Sequence, residues 1–488
     1  MSCKAIVAVC NLVIGSLAVQ IGRCDQFPGA VFAQAQPASP SDATRVRASW
    51  QEKIRVADLF RANEELDHAL KSLEDALEIA GSPGQPRYYS GMTLSRMGEI
   101  YLLQGKDSQA EKTLSRALSD LKDSIGPQRM EVAECLTALG ACYLNMRRLS
   151  EAESAFTAAL AIGRKSGKCD DVATSLTAIG LLYSTAGRHA QAVASLRSAL
   201  HMLEQECDPA PGAVATVLMH LGNAYVQQGR YWEGEPFLRR ALRGSIDAFG
   251  PGSLQVATTE CVLAHLDWGR GEPRKAEARL RRALATYVAV RGERHPDVVV
   301  VLLDLAETMS LQRRYAEAET FATRALTIAE GTLAGGHIVT GQCAATLANA
   351  ISHQGEYGKA EPLLRRALSI YLQNAGEADT WTTTALTNLA IVRAKLGDYT
   401  EAEALHQRAL QMEQNAKGLD SQQRATTLTE YAKVLRHNGQ KHRAANMEKE
   451  ARAILGRIRK ATAPATIDVT ELMKASQPPD RERTRKDD

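Results

Sequence analysis

The residue types that most often carry chemistry are scattered through this 488-residue chain without the spacing that a reaction needs. The sequence contains no GxxxxGK[ST] phosphate loop, no HExxH metal motif and no GxSxG nucleophile motif. His437 and His442 are five residues apart, which misses the four-residue step of a helix face, so we interpret them as surface histidines. We therefore predict that the protein is not an enzyme and that it binds neither a metal ion nor a small-molecule cofactor.

Nine cysteines could in principle form disulfides or bind zinc, but their spacing favours neither. Cys135 and Cys142 are seven residues apart on one predicted helix. Two helical turns rise about 10.8 Å, which is more than the Cα separation that a disulfide tolerates. A CxxC pair, which would suggest zinc, is absent. We predict no disulfide framework and interpret the cysteines of the body as small buried hydrophobes: Cys135, Cys142, Cys169, Cys207, Cys261 and Cys343.

Charged residues give a nearly balanced chain, with 59 Lys and Arg against 56 Asp and Glu. This balance argues against the strongly basic face of a nucleic-acid-binding protein. Aromatic residues make up only 5% of the sequence, which disfavours a β-sandwich or barrel. The composition indicates an all-helical protein with no nucleic-acid partner.

Arginine recurs at one place in the pattern of the chain and could form a ridge that binds an acidic partner. Glutamates stand five residues before three of these arginines, at 319, 361 and 403. We interpret the arginines as surface residues that pair with nearby glutamates and with helix dipoles. They are Arg116, Arg240, Arg282, Arg324, Arg366 and Arg408.

The elements that position these residues follow from an internal repeat of 40 to 42 residues. A small residue is followed seven positions later by an alanine in ten places. A second small residue stands twelve positions earlier, and a turn with glycine often lies between. Apolar residues recur at three- and four-residue steps, so each unit is predicted to be a helix, a tight turn and a helix. Small side chains let two helices cross closely, and we expect Gly140 to face Ala152 at such a crossing. The first members of the ten pairs are Ala69, Ala110, Ala152, Ala192, Gly234, Ala276, Ala318, Ala360, Ala402 and Ala444.

This pattern resembles the tetratricopeptide repeat in its long, kinesin-light-chain-like form. The segments that carry the resemblance are GEYGKAE at 355–361, RRALSI at 365–370 and GERHPDV at 292–298. The resemblance spans residues 48–455 and implies a right-handed α–α superhelical solenoid of about ten helix pairs. It also implies a scaffold that binds a peptide or protein partner.

In related arrays the first helices line a concave groove, and this resemblance indicates which side chains would face it. An asparagine there can pair with both the N–H and the C=O of an extended peptide, although a solvated asparagine is the simpler interpretation. The predicted peptide-binding residues are Asn223, Asn349, Asn388, Thr177 and Met219. An alternative function is a regulatory or sensing adaptor that couples such a partner to another protein through its tail.

The two ends of the chain differ from the repeats. Lys4, an apolar run over residues 5–19 and the small-residue site at 33–35 are typical of a secretory signal peptide over residues 1–35, followed by a linker at 36–47. An uncleaved membrane anchor and an organelle transit peptide are the alternatives. Only the anchor would attach the protein to a membrane. Residues 456–488 mix proline, threonine and charge, and are predicted to be a disordered tail.

Export with cleavage after Ala35 is the first testable expectation, because the AQA site precedes a proline-rich stretch. N-terminal sequencing of the natively expressed, periplasmic or secreted protein should begin at Gln36. Recovery of intact Met1 from a soluble cytoplasmic fraction would contradict it.

Overall fold

The computed structural model describes residues 40–62, 65–82, 84–205, 207, 209, 212–333, 336–374, 380–415 and 422–462. Over these residues the chain forms twenty helices and no strand. The helices are α1 (Pro40–Ala62), α2 (Leu66–Ala80), α3 (Arg87–Leu103), α4 (Asp107–Ile125), α5 (Met130–Asn145), α6 (Leu149–Ser166), α7 (Cys169–Thr185), α8 (His189–Gln205), α9 (Ala213–Gln227), α10 (Tyr231–Phe249), α11 (Leu254–Gly269), α12 (Pro273–Arg291), α13 (Pro296–Leu311), α14 (Tyr315–Thr332), α15 (Ile338–His353), α16 (Tyr357–Asn374), α17 (Thr380–Lys395), α18 (Tyr399–Asn415), α19 (Gln422–His437) and α20 (Lys441–Thr462). The predicted all-α repeat solenoid of ten helix pairs is confirmed.

Each unit is a pair of helices, with α1 and α2 as unit 1 and α19 and α20 as unit 10. Every odd-numbered first helix packs against the second helix that follows it, and it also contacts the first helix of the next unit. Successive second helices lack comparable contacts in the described part of the chain, so the first helices form the inner layer of the solenoid. The second helices form the outer layer, with an apolar stripe inward and charged residues outward, as in α4.

Both ends of the solenoid extend beyond the predicted bounds. Helix α1 begins at Pro40, so residues 40–47 of the expected linker are helical; proline suits the first position of a helix because its missing N–H has no helical partner there. Helix α20 continues to Thr462 because Ile458 packs against the last hydrophobic cluster. The predicted signal peptide at 1–35 and residues 463–488 of the predicted tail lie outside the described residues.

Small residues allow the two helices of a unit to cross closely. A Cβ added at Gly234 would lie 2.9 Å from the carbonyl oxygen of Gly222, so the two backbones are in contact in unit 5. At Gly140 the three atoms nearest to an added Cβ all belong to the ring of Phe156, the closest at 2.6 Å, and the expected contact with Ala152 stays a prediction. Phe156 lies one turn beyond Ala152 on the same face of α6, and its ring is large enough to fill the crossing.

The cysteines follow the sequence prediction only in part. Four free cysteines are buried as expected, at 135, 142, 261 and 343. Cys169 and Cys207 form a disulfide, so the prediction for these two residues is wrong. Cys169 begins α7 and Cys207 follows α8, and the two ends of an antiparallel helix pair lie side by side. Their Cα atoms are 5.8 Å apart although 38 positions separate them in sequence.

Ala152 offers a test of the crossing, because it is fully buried. Replacement by leucine should overpack the unit at a cost of about 1–3 kcal/mol in the free energy of unfolding. Since repeats contact mainly their neighbours, the faster amide hydrogen exchange should be confined to units 2 to 4. Ala158→Leu is the matched control, because Ala158 lies on the exposed face of the same helix. Equal effects of the two substitutions would contradict a close crossing at Ala152.

Candidate functional site

A row of polar contacts joins the first helices of successive units. Each contact links the residue after the small residue of one first helix to the residue two before the small residue of the next. We call this set of side chains the inner column. Its hydrogen bonds join Asp58 to Arg96 at 2.5 Å, His265 to Asp304 at 3.0 Å, and Asn349 to Asn388 at 2.9 Å. The paired residues are 38 or 39 positions apart, close to the repeat length.

The contact between His265 and Asp304 lies in the interior, where both side chains have no exposed surface. Burial raises the pKa of the Asp304 carboxyl above its ordinary value, and the charge and hydrogen bond of His265 oppose that shift. The ring of Trp268 lies 4.6 Å from that of His265, and the indole N–H donates to Thr308. Thr308 in turn donates to the backbone carbonyl of Asp304. This network fixes the register of α11 against α13.

A histidine–aspartate pair beside a cysteine raises the question of a catalytic triad, since Cys261 lies one turn before His265. Burial raises the pKa of the Cys261 thiol well above its ordinary value, and the Asp304 charge adds to the shift. A cysteine nucleophile requires the opposite, a thiolate stabilised by its surroundings. The electrostatics of this cluster therefore support a packing role.

Three of the five predicted peptide-binding residues are buried. Thr177, Met219 and Asn223 are 4%, 0% and 3% exposed, so in this conformation they offer almost no surface to a partner. The Thr177 hydroxyl donates to the carbonyl of Ala173 within its own helix. Their part in peptide binding stays a prediction.

Asn223 occupies an inner-column position whose partner position on the next first helix is apolar. The position that would pair with it, 39 residues further on, is occupied by Val262. The Asn223 Oδ1 atom is buried and, among the described residues, has no hydrogen-bond partner. An unsatisfied buried acceptor destabilises a protein, so this unit gives up stability to keep an asparagine here.

The other two predicted residues, Asn349 and Asn388, are brought together by the structure. Both are half-buried, and the Asn388 amide donates to Oδ1 of Asn349. Glu307 occupies the place of Asn349 one unit earlier and is also half-buried. This part of the inner face is therefore more accessible than that of unit 5. We did not foresee the pairing, although the 39-residue spacing was present in the sequence.

Three of the six arginines of the predicted ridge form ion pairs within the protein, which agrees for these three with their interpretation as paired surface residues. Arg240 and Arg366 form ion pairs with Glu204 and Glu330 on the preceding second helices, and Arg282 contacts Glu260 at 3.0 Å. The predicted partner of Arg366 is wrong. Glu361 instead contacts Arg365 and Arg393, because a residue five positions back on a helix lies on a different face.

No helix in the described part of the chain is both long and apolar enough to cross a membrane.

A protein-family model described as Tetratricopeptide repeat matches residues 89–165, 131–205, 213–289, 297–373 and 381–456, and a second model of the same description matches residues 261–331. No sequence among the curated proteins matches this chain closely enough to count as a relative.

Three solved structures illustrate the likeness of the fold. The apo form of the quorum sensor NprR from B. thuringiensis is 12% identical, with 76% of this chain and 99% of that chain covered and a TM-score of 0.50. A Rap protein complexed with Competence and Sporulation Factor is 14% identical, with coverages of 86% and 99% and a TM-score of 0.48. The Podosopora anserina putative kinesin light chain repeats are 18% identical, with coverages of 42% and 98% and a TM-score of 0.36. At these identities the likeness concerns the fold alone.

A double-mutant cycle on His265 and Asp304 tests the inner column. Each single alanine substitution leaves a buried polar partner unsatisfied, at a cost of about 1–3 kcal/mol. The double variant should lose less than the sum, with a coupling of about 0.5–3 kcal/mol in denaturant unfolding. The same cycle on Asp58 and Arg96, which are partly exposed, should give a smaller coupling. Additive losses at His265 and Asp304 would show that the bond does not join the units.

Proposed function

The chain belongs to the tetratricopeptide-repeat family, and from this premise we propose that it is a non-enzymatic scaffold that works outside the cytoplasm. It binds an extended peptide or protein segment along the inner faces of its first helices. The contact between Asn349 and Asn388 is the observation that carries this proposal.

The two asparagines retain the capacity to bind a peptide backbone while they bond to each other. A side-chain amide has two N–H donors and an oxygen that accepts twice, and their mutual bond uses one donor and one acceptor. Backbone groups of an extended segment present the same chemistry at every residue, so such a pair can hold a peptide without reading its sequence. The half-burial of both residues strengthens these bonds because the local dielectric is lower than in water.

The disulfide supports a location outside the cytoplasm. Disulfides persist in oxidising compartments and are rare where thiols are kept reduced. Cys169 and Cys207 close unit 4 into a loop at one edge of the solenoid. This agrees with the secretory signal that the first 35 residues resemble. The alternative, a sensing adaptor that uses its tail, stays a prediction, since residues 463–488 lie outside the described residues.

Substitution of both Asn349 and Asn388 by alanine should weaken peptide binding. Each lost hydrogen bond costs about 0.5–1.5 kcal/mol, which is roughly a two- to twelve-fold loss of affinity per bond. Peptides selected from a displayed random library on the purified wild-type protein provide the ligand, and calorimetric titration gives the dissociation constant.

Asn438→Ala is the matched control for this experiment, because it removes the same side chain from an exposed turn where the amide bonds to Glu403. It should leave the affinity unchanged. If the double variant binds the selected peptides as tightly as the wild type does, the binding surface lies outside the inner column.

The disulfide gives an independent test of export. Peptide mapping of the natively expressed protein without reductant should recover a linked peptide that contains Cys169 and Cys207. Cys207→Ser should lose about 2–4 kcal/mol of stability. A reductant should destabilise the wild type but have no further effect on the variant. Fully reduced cysteines in the native protein would count against an oxidising compartment.

A further inference from the structure

The solenoid contacts itself between units that are far apart in sequence. The turn between α3 and α4 meets the end of α14: a Cβ added at Gly105 would lie 3.2 Å from Leu333. Nearby, Nε2 of His337 lies 3.9 Å from a carboxylate oxygen of Asp107. Burial raises the pKa of Asp107 to about 6, and it lowers the pKa of His337. The side chains of His337 and Asp107 are only 17% and 13% exposed, so little water reaches the contact.

A second contact lies one unit further along the chain and joins residues with a similar separation in sequence. The guanidinium of Arg147, in the turn between α5 and α6, lies 5.2 Å from the centre of the Trp381 ring at the start of α17. The two contacts join residues 230 and 234 positions apart (337 − 107 and 381 − 147). These two separations are nearly equal and correspond to fewer than six repeats, so the coil completes one turn in fewer than six units and its successive turns touch.

The backbone conformation at Arg147 is one that favours glycine, although an arginine occupies the position. Its φ is +61°, in the left-handed region that favours glycine. The equivalent turns of units 2, 4 and 5 have Gly105, Gly187 and Gly229. A glycine at 147 would relieve the strain, but it would remove the guanidinium from the face of Trp381, where a cation is attracted to the ring.

The inner layer is enclosed where the turns touch. Residues 215–226 of α9 are all buried, as are residues 298–306 of α13, so these first helices have almost no exposed face. Polar inner-column residues such as Asp304 lie within this enclosed part. A macromolecular partner cannot reach such a surface while successive turns stay in contact.

We infer that one set of contacts between successive turns, here called the seam, acts as a clasp: it holds the coil closed and controls access to the inner column. The seam consists of Gly105, Asp107, Arg147, Leu333, His337 and Trp381. The control of access rests on the proposed function, whereas the closure does not. The seam is much smaller than the interface between successive helices. It can therefore open while each unit stays folded, as the nearest-neighbour energetics of repeat proteins allow.

An opening variant tests the closure. It combines Leu333→Asp, which places a carboxylate in the partly buried contact with Gly105, with Arg147→Gly, which removes the cation from Trp381 without backbone strain. The matched control combines Val290→Asp with Arg313→Gly. Val290 is exposed near the end of a second helix, and Arg313 is an exposed arginine with φ of +62° in the equivalent turn of unit 7.

Small-angle X-ray scattering should show a larger radius of gyration and maximum dimension for the opening variant than for wild type and control, with equal helix content by circular dichroism. Identical dimensions for the three proteins would overturn the inference.

A cross-linking measurement does not depend on how the opening variant folds. Asp107→Cys with His337→Cys should be bridged within one molecule by a short bis-maleimide, and mass spectrometry should recover the linked peptides. Asp107→Cys with His295→Cys is the control. His295 caps α13 as His337 caps α15, by accepting from a backbone N–H two residues on, but it lies one unit away from the seam. Absence of the first cross-link would overturn the closure.

Access is measured with a polymer probe. A polyethylene glycol maleimide should label Asn349→Cys several-fold faster in the opening background than in the control background. Equal labelling rates in the two backgrounds, together with a larger radius of gyration of the opening variant, would refute the control of access while the closure of the coil by the seam would still hold. Neither result depends on the affinity of the asparagine pair for a peptide, so failure here is distinguishable from failure of the proposed function.

Discussion

The close crossing of the two helices within each unit is the constraint on which the rest of the structure depends. At Gly222 and Gly234 the two backbones touch, because neither residue has a side chain that would hold them apart. When the helices are this close, leucine or phenylalanine from the second helix fills the space beside the first, as Phe156 does against Gly140. The unit then presents two flat faces, and the next unit packs on one of them at a fixed angle. A change of a few degrees at each crossing would accumulate over ten units and separate the turns of the coil.

The inner column adds direction to this packing. Apolar contacts between units tolerate small sliding movements, whereas a hydrogen bond between His265 and Asp304 has one preferred register. The column is not uniform along the chain. In unit 5 the buried Oδ1 atom of Asn223 has no partner among the described residues, units 6 and 7 share a fully buried histidine–aspartate contact, and units 8 and 9 share an accessible amide pair. The accessible side chains of the column therefore lie near both ends of the solenoid, at Asp58 and Arg96 and at the asparagine pair.

The sequence predicted the repeat, the helix pairs and the burial of the repeated alanines, because these depend on contacts between neighbouring residues and on a constant period. It also placed Asn349 and Asn388 on the inner helices. It could not place Cys169 beside Cys207 as long as we compared only cysteines within one helix, since their proximity arises from the antiparallel pair. The seam could not be predicted from the sequence for a different reason. Contact between Asp107 and His337 depends on the pitch of the coil, which is the sum of many small rotations that no single repeat reveals.

The disulfide also changes how the protein would respond to a pulling force. A solenoid stretched from its two ends unravels unit by unit, and each freed unit adds its full contour length. In unit 4 the bond between Cys169 and Cys207 keeps 38 positions of chain out of the path of the force. An extended chain of that length spans roughly 130 Å, so this unit would lengthen the molecule very little when its helices separate. The solenoid thus has one inextensible link among elastic ones, located between its third and fifth units.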